Sequence, residues 1–222
     1  MFHVELSFKI PFHCPDNIAP FLQKVFSGEY DLPGVHFPVG ARVIDLGANF
    51  GSFAIWAAHR WPGCEILSFE PHPGVFEGLK HNIQAYSQIT AHPWGIGDEG
   101  VRVLHDGANN DGERSFHGVV NHPNPTGQHC EVRSPLTLPD CDLLKMDIEG
   151  CEVEVLTPLI EKGYRPKVIM LEYHNHKIRR TVDSLLADYE LVGGETTSML
   201  GLGVGKYLRK DVLKEIFGAF VL

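Results

Sequence analysis

The chain has 222 residues, of which 43% are hydrophobic and 21% are charged, a balance typical of one globular α/β domain and not of a disordered protein. Its formal net charge of −9 argues against sequence-independent binding of nucleic acid, which depends on Lys and Arg neutralising phosphates. No run of about 18 apolar residues exists, so no membrane span is expected. Five scattered cysteines, no C-x-x-C pair and no visible secretory signal predict reduced thiols and a cytoplasmic location.

The first 39 residues are interpreted as a small N-terminal cap on a domain that spans residues 40–222, the two forming a single globular unit. Apolar residues alternate within residues 1–12 and predict an edge strand. Asp16 is interpreted as the cap of a helix that reaches about Phe26. Tyr30 lies in the segment that follows, which either packs on the sheet or forms a lid that reaches the ligand.

Residues 42–53 form the βα unit around which the rest of the domain is organised. A short apolar strand leads into Asp45, Gly47 and Gly51 make a glycine turn, and an apolar helix pattern follows. This D-x-G-x-x-x-G spacing differs from the G-x-G-x-x-G of dinucleotide folds, which place a pyrophosphate at the helix end. An acid ahead of the glycines suits a ligand with a positive charge. A purely structural turn is the alternative interpretation.

Two further segments suggest contacts to a nucleoside. Glu70 follows the second predicted strand, residues 64–69, and a carboxylate there can accept two hydrogen bonds from a ribose diol. A helix cap or a solvated loop acid is the alternative. After a third strand, Ile89 to Trp94, Gly97 leaves room for a flat base and Asp98 offers an acceptor for an exocyclic amine. An ordinary turn explains Gly97 and Asp98 equally well.

Residues 99–139 interrupt the alternation of strands and helices and are interpreted as an insertion. Val101 to Leu104 and Cys130 to Arg133 predict a hairpin or extra strands. The segment 106–128 between them is rich in Gly, Asn, Asp, His and Pro. Because a loop of that length in a compact domain is usually functional or disordered, we interpret it as a substrate lid.

The remaining pattern predicts an α/β fold with a doubly wound, mostly parallel sheet. Asp142 to Met146 and Pro166 to Leu171 are the next strands, and Tyr189 to Val192 and Lys206 to Leu208 are predicted to close the sheet as an antiparallel pair. Ligands of such sheets bind at the carboxyl ends of the strands. Five acids are predicted at those ends: Asp45, Glu70, Asp98, Asp147 and Glu172. They disfavour a phosphate and favour a phosphate-free, positively charged nucleoside such as S-adenosylmethionine.

Three motifs resemble those of the FkbM-like class I methyltransferases: Val43 to Gly51, Phe69 to Pro73, and Leu144 to Glu152. The third, Lys-x-Asp-x-Glu-Gly, is the most specific, and the similarity covers about residues 28–173. The resemblance implies a Rossmann-like class I methyltransferase fold with a seven-stranded sheet. It also implies S-adenosylmethionine as cofactor and O-methylation of a hydroxyl on a small molecule, such as a sugar or a natural product.

The resemblance also implies where the cofactor lies. The glycine turn is expected to hold the methionine part, Glu70 the ribose hydroxyls, and the segment around Asp98 the adenine. Asp147 is expected near the methyl group and the acceptor. The complete set of expected cofactor-binding residues is Tyr30, Asp45, Gly47, Ala48, Asn49, Gly51, Glu70, Pro71, Gly97, Asp98 and Asp147.

A hydroxyl acceptor must lose its proton, and four side chains are candidates to take it: Asp147, Glu149, Glu172 and His174. A histidine with an ordinary pKa near 6.5 suits a general base at neutral pH, whereas a carboxylate needs its pKa raised by burial or by neighbouring acids. We predict that Asp147 or His174 is the base. For His174, a hydrogen-bonded loop histidine is the alternative.

A second hypothesis assigns a metal to the same strand ends. Asp147 and Glu172, with His174 or Asn175, offer ligands to Mg²⁺, and a bound cation lowers the pKa of a hydroxyl. This placement is similar to the metal site of catechol-type O-methyltransferases, although the motifs differ. A non-catalytic binding or scaffold module and an N-methyltransferase remain alternatives. The expected partner is a small-molecule acceptor, with no nucleic acid and no membrane, and a homo-oligomer is compatible with the sequence.

Overall fold

A computed structural model describes residues 2–5, 9–105, 107–108, 114–115, 125–196 and 202–218. Its main sheet has seven strands, numbered here in chain order: β1 (Arg42–Leu46), β2 (Glu65–Phe69), β3 (Ile89–His92), β4 (Leu143–Met146), β5 (Val168–Tyr173), β6 (Tyr189–Thr196) and β7 (Gly203–Arg209). The spatial order is β3-β2-β1-β4-β5-β7-β6. Strand β7 runs antiparallel to both of its neighbours, whereas β1 to β5 pair in parallel. The predicted mostly parallel sheet and its antiparallel closing pair are confirmed.

Six α-helices accompany the sheet in the described part of the chain: α1 (Ala19–Lys24), α2 (Ser52–Arg60), α3 (Pro73–Ile83), α4 (Glu152–Glu161), α5 (His176–Leu185) and α6 (Lys210–Phe217). They cover both faces because successive residues of a strand point to opposite sides. Val43 of β1 packs in the apolar cluster that holds α2 and α3, whereas its neighbour Ile44 packs in the cluster that holds α4 and α5. None of these described helices is long and apolar enough to cross a membrane.

The N-terminal segment differs in detail from its prediction. Phe2–Glu5 pairs antiparallel with Lys9–Phe12, so the segment predicted as one edge strand contains two short strands, and they form a sheet separate from the main one. Helix α1 begins after Ile18 rather than at Asp16, with a proline in its first turn, and continues as a π-helical turn over Val25–Glu29. The division of the chain at residue 40 stays a prediction.

The predicted insertion forms a small sheet of its own. Gly100–His105 pairs antiparallel with Pro125–Arg133, which also pairs in parallel with Gly95–Ile96. Leu104 is buried with Cys130 and Val132 in a separate apolar cluster, which explains why the hairpin is stable beside the main sheet. Two short strands, Gly107–Ala108 and Arg114–Ser115, also pair. Most of the predicted lid, residues 106–128, lies outside the described residues.

Candidate active site

The glycine turn between β1 and α2 is shaped by close packing. Gly47 has φ of 72°, and a Cβ there would lie 1.8 Å from the backbone oxygen of Asp147. Gly51 has φ of 90°, and a Cβ there would lie 2.7 Å from Leu79 Cδ1 on α3. Both glycines are therefore required by the fold, because other residues rarely adopt this conformation and a side chain has no room. Their contact with a ligand stays a prediction.

Backbone hydrogen bonds fasten this turn to the end of β2. The N–H groups of Gly47 and Ala48 both donate to the Phe69 carbonyl, each at 3.0 Å. Asn49 follows in the left-handed region, with φ of 51°, and its N–H donates to Glu70 Oε2 at 2.9 Å. The turn and the predicted ribose-binding acid are thus held together by the main chain.

Glu70 has a buried carboxyl group that is held by two backbone N–H groups. Its side chain accepts from Asn49 N–H through Oε2 and from His72 N–H through Oε1, the latter at 2.8 Å, while the residue is 8% exposed. Burial raises its pKa to about 7, against the lowering effect of the two N–H donors. Each carboxyl oxygen accepts one backbone donor and keeps a further lone pair. Half-buried Pro71 joins Glu70 to His72, whose ring caps α3 by accepting from Gly74 N–H.

Asp45 and Lys145 form a buried ion pair between adjacent strands. The two residues lie opposite each other in the β1–β4 register, and Lys145 Nζ is 3.0 Å from Asp45 Oδ1. Lys145 also donates to the Gly47 carbonyl at 2.8 Å. Burial lowers the pKa of Lys145, but the surrounding carboxyls, Asp45 and Asp147 foremost, have the larger opposite effect. The pKa is therefore raised above its ordinary value, and the lysine remains a cation.

Asp45, the acid ahead of the glycines, has a structural role in the fold. Its carboxyl is completely buried against Lys145. It fixes Lys145 and the turn, and a direct contact with the ligand stays a prediction. Sequence reasoning assigned no role to Lys145, although a lysine between Leu144 and Met146 in a buried strand was the available signal.

The carboxyl ends of β4 and β5 bring together five side chains, called the β4–β5 cluster below: Asp147, Glu149, Glu152, Glu172 and His174. Asp147 is held from the main chain, since its N–H donates to the Leu46 carbonyl at 3.0 Å. The carboxyl of Glu172 is hydrogen-bonded to that of Asp147. Burial and the charge of Asp147 raise the pKa of Glu172 well above its ordinary value. Glu172 therefore retains its proton at neutral pH and donates to Asp147.

His174 lies between two carboxylates of this cluster. Its Nε2 is 3.0 Å from Glu149 Oε2, and its Nδ1 is 3.8 Å from Glu152 Oε1. Burial lowers the pKa of His174, but the hydrogen bond and charge of Glu149, with the charges of Glu152 and Asp147, raise it to about 9. His174 is an imidazolium at neutral pH in this arrangement, which disfavours it as the base. The assignment of Asp147 as the base stays a prediction.

Tyr30 is buried, and the charges of Asp147 and Glu172 in the cluster act on it. It is 3% exposed, and its ring centroid is 5.0 Å from that of Phe53 on α2. Burial, followed by the charge of Asp147, raises the pKa of Tyr30 well above its usual value. The structure thus favours the packing interpretation of this segment, with the phenol kept as a hydrogen-bond donor near the carboxyls.

The predicted adenine segment is held by an acid that sequence reasoning missed. Asp98 N–H donates to Glu154 Oε1, and a Cβ on Gly97 would lie 2.6 Å from the same oxygen. The Asp98 carboxylate is exposed and lies 3.5 Å from Arg102. Glu154 of α4 thus positions the Gly97–Asp98 backbone. The predicted contact of Asp98 with an amine is not tested by this arrangement.

The predicted metal ligands are brought together only in part. Asn175 Oδ1 accepts from Ile178 N–H at 2.9 Å and caps α5, which gives this oxygen a structural role, and its assignment as a ligand stays a prediction. Asp147, Glu149 and His174 instead place one ligand atom each within 4.8 Å of one another. Glu149, in the left-handed region with φ of 54°, was not predicted as a ligand, and Glu172 is not part of this group of three.

Comparison with known proteins gives the family. The family model of the FkbM methyltransferase domain matches residues 45–190, which include the glycine turn, Glu70 and the β4–β5 cluster. The chain belongs to the FkbM methyltransferase family. The predicted resemblance to this family is confirmed.

Relatives of this FkbM protein are distant. It is 24% identical over 209 residues to methyltransferase sdnD of Sordaria araneosa, covering 77% of this chain and 81% of that protein. It is 24% identical over 176 residues to 2-O-methyltransferase NoeI of Sinorhizobium fredii, covering 68% and 72%. A match of 34% identity to methyltransferase 1 of Beauveria bassiana spans 65 residues, 28% of this chain and 26% of that protein.

A solved structure supports the fold. The crystal structure of a fibrillarin/NOP5P complex aligns with a TM-score of 0.52 at 14% identity, covering 87% of this chain and 83% of that one. At that identity the likeness concerns the architecture. It confirms the predicted Rossmann-like arrangement for this FkbM protein.

Proposed function

We propose that this FkbM protein is an S-adenosylmethionine-dependent methyltransferase that methylates a hydroxyl group of a small molecule. The main support for S-adenosylmethionine as the cofactor is the arrangement of hydrogen bonds around Glu70. Glu70 follows β2, and each of its two carboxyl oxygens accepts one backbone N–H. One N–H belongs to the glycine turn and the other to the residue that precedes α3. A pre-oriented carboxyl of this kind accepts both hydroxyls of a ribose without further ordering of side chains.

A charge argument supports a cationic nucleoside. The β4–β5 cluster carries several carboxyls close to Asp45, and Lys145 is already engaged with Asp45. S-adenosylmethionine carries a sulfonium and an ammonium against one carboxylate, so its net charge complements this edge of the sheet. The same acids disfavour a nucleotide with phosphates.

The proposed chemistry is an in-line displacement at the methyl carbon. Bound S-adenosylmethionine would supply an activated methyl group to the acceptor oxygen, and Asp147 would take the proton that the acceptor hydroxyl loses. Glu172 stays protonated and orients Asp147 through their hydrogen bond. Because the sulfonium is already activated, holding donor and acceptor in line supplies much of the rate, up to roughly 7–11 kcal/mol in favourable cases.

Titration calorimetry with S-adenosylhomocysteine tests the cofactor proposal. Glu70→Ala is expected to weaken binding by tenfold or more, about 1.4 kcal/mol. Glu65→Ala is the matched control, since Glu65 is an exposed acid at the opposite end of the same strand and pairs with Arg42. It should leave the affinity within twofold. No binding by the folded wild-type protein would instead support the scaffold alternative.

The acceptor is tested separately by mass spectrometry of products. Purified protein with S-adenosylmethionine is offered hydroxylated sugars and natural products beside amines of the same size. The name of 2-O-methyltransferase NoeI supports a hydroxyl acceptor, at 24% identity. Methyl transfer to the hydroxyl compounds is expected, and transfer to amines alone would favour the N-methyltransferase alternative.

A further inference from the structure

Three ligand atoms converge at the mouth of the β4–β5 cluster. Asp147, Glu149 and His174 each offer one atom, and these atoms lie within 4.8 Å of one another. All three residues are half-buried, so an ion from solvent can reach them. Small rotations of the side chains bring atoms at this separation to the distances of about 2.0–2.2 Å at which imidazole nitrogens and carboxylate oxygens bind divalent ions.

A second, independent feature lies behind the histidine. Glu152 is fully buried, its Oε1 faces His174 Nδ1 at 3.8 Å, and Oε1 also accepts from Gly150 N–H at 3.1 Å. Neither Glu152 Oε2 nor His174 Nδ1 has a hydrogen-bond partner within the described part of the chain. Histidines that bind metals through one ring nitrogen usually donate the other N–H to a carboxylate, which fixes the ring. Glu152 occupies that position relative to His174, whose Nε2 points into the ligand cluster.

We infer that Asp147, Glu149 and His174 Nε2 form a binding site for a divalent transition-metal ion, which displaces the proton from Nε2, with Glu152 as the carboxylate that orients His174. The donor set of two carboxylates and one imidazole suits Mn²⁺ or Zn²⁺ better than Mg²⁺, which prefers oxygen ligands alone. The inference rests on the proposed function for the purpose of the ion, since an ion beside the acceptor lowers the pKa of a coordinated hydroxyl. The binding itself does not depend on that function.

The test is direct measurement of Mn²⁺ binding to the full chain after removal of metals with a chelator. Free Mn²⁺ is followed by electron paramagnetic resonance during titration, and one saturable site is expected. Glu149→Gln should weaken Mn²⁺ binding at least tenfold. Glu161→Gln, which changes an exposed acid at the end of α4, is the matched control and should stay within twofold.

Two further variants separate direct binding from orientation. His174→Gln should weaken Mn²⁺ binding at least tenfold, and Glu152→Gln should weaken it about tenfold to a hundredfold through the histidine. Zn²⁺ should displace Mn²⁺, whereas an equal concentration of Mg²⁺ should not. Each variant is first shown to be folded by circular dichroism, and Glu149→Gln, in an accessible loop, keeps the test decisive if the buried Glu152→Gln does not fold.

The results of these titrations distinguish this inference from the proposed function. Saturable Mn²⁺ binding that weakens in Glu149→Gln and His174→Gln supports the site. Absence of such binding, or equal affinity in all variants, overturns it. Titration with S-adenosylhomocysteine in metal-free buffer is run in parallel. If S-adenosylhomocysteine binds and Mn²⁺ does not, the metal site is overturned and the methyltransferase proposal stands. If Mn²⁺ binds and S-adenosylhomocysteine does not, only the cofactor proposal is overturned.

Discussion

The two halves of the candidate active site are built in different ways. The cofactor half, made of the glycine turn and Glu70, is held by main-chain hydrogen bonds over short distances. The acceptor half, the β4–β5 cluster, is held by contacts between charged side chains of different segments. Rigid main-chain contacts suit a ligand that is the same for every turnover. Side-chain contacts are easily changed by substitution, and they suit the half that is proposed to bind the acceptor.

Lys145 and Gly47 each provide a contact between the halves. Lys145 of β4 reaches Asp45 and the Gly47 carbonyl on the cofactor side. Gly47 in turn lets the glycine turn approach the Asp147 backbone. Substitutions at these contacts are expected to have larger effects than substitutions within either half.

Lys145→Met is expected to have the largest effect. It leaves the Asp45 carboxyl buried without its cation, and breaking a buried pair costs about 3–5 kcal/mol of the free energy of unfolding. Lys167→Met is the matched control, because Lys167 pairs with Asp142 at the same 3.0 Å but is 41% exposed. It should cost about 1 kcal/mol or less. Urea unfolding measures both, and equal losses would contradict a special role for the buried pair.

Gly47→Ala is expected to follow. The added methyl group meets the Asp147 carbonyl oxygen, and overpacking together with the left-handed φ should cost about 2–5 kcal/mol. Gly40→Ala provides the comparison, since Gly40 has φ of 85° and nothing lies within 4 Å of the position that a Cβ would take there. Its cost should be about 1–2 kcal/mol. If thermal or urea unfolding shows equal destabilisation in the two variants, the contact between Gly47 and the Asp147 backbone is not the cause of the effect of Gly47→Ala.

Glu70→Gln tests the cofactor half through pH. Burial raises the pKa of Glu70 from 4.5 to about 7, so its stabilising contribution is complete below about pH 4.5 and is lost as pH rises through 7. Between about pH 4.5 and about pH 8, the free energy of unfolding of the wild type should fall by about 3 kcal/mol relative to that of Glu70→Gln. Urea unfolding of both proteins across this range gives the difference. A difference that is constant with pH would show that Glu70 titrates normally.

Asn175→Ala is expected to have the smallest effect and tests the acceptor half. Removing the cap of α5 should cost about 1 kcal/mol, and Asn175→Ser should restore most of it. Methyl transfer and Mn²⁺ affinity should stay within twofold of the wild type. A large loss of Mn²⁺ affinity in Asn175→Ala that Asn175→Ser does not restore, although it restores the free energy of unfolding, would identify Asn175 as a ligand.

Much of the fold followed from local patterns. Apolar strands alternating with helical spacings predicted β1 to β5, and the final short pair was predicted as well. The N-terminal strand and the start of α1 were misplaced, because alternation alone does not say which sheet a strand joins and Asp16 competes with a nearby Pro20 as a helix signal. The Glu70 position was found because its distance from the glycine turn is set by one βα unit.

The sequence by itself determined the FkbM family, the sheet, the glycine turn and the acids Glu70 and Asp147 after their strands, since these depend on spacing within short segments. Asp98 instead follows the short strand Gly95–Ile96, outside the main sheet. The tertiary structure alone decided which charges meet. Lys145 pairs with Asp45, His174 lies between Glu149 and Glu152, and Glu154 holds the Gly97–Asp98 backbone. Protonation depends on burial and on neighbours from distant segments, so the evidence against His174 as the base required the folded arrangement.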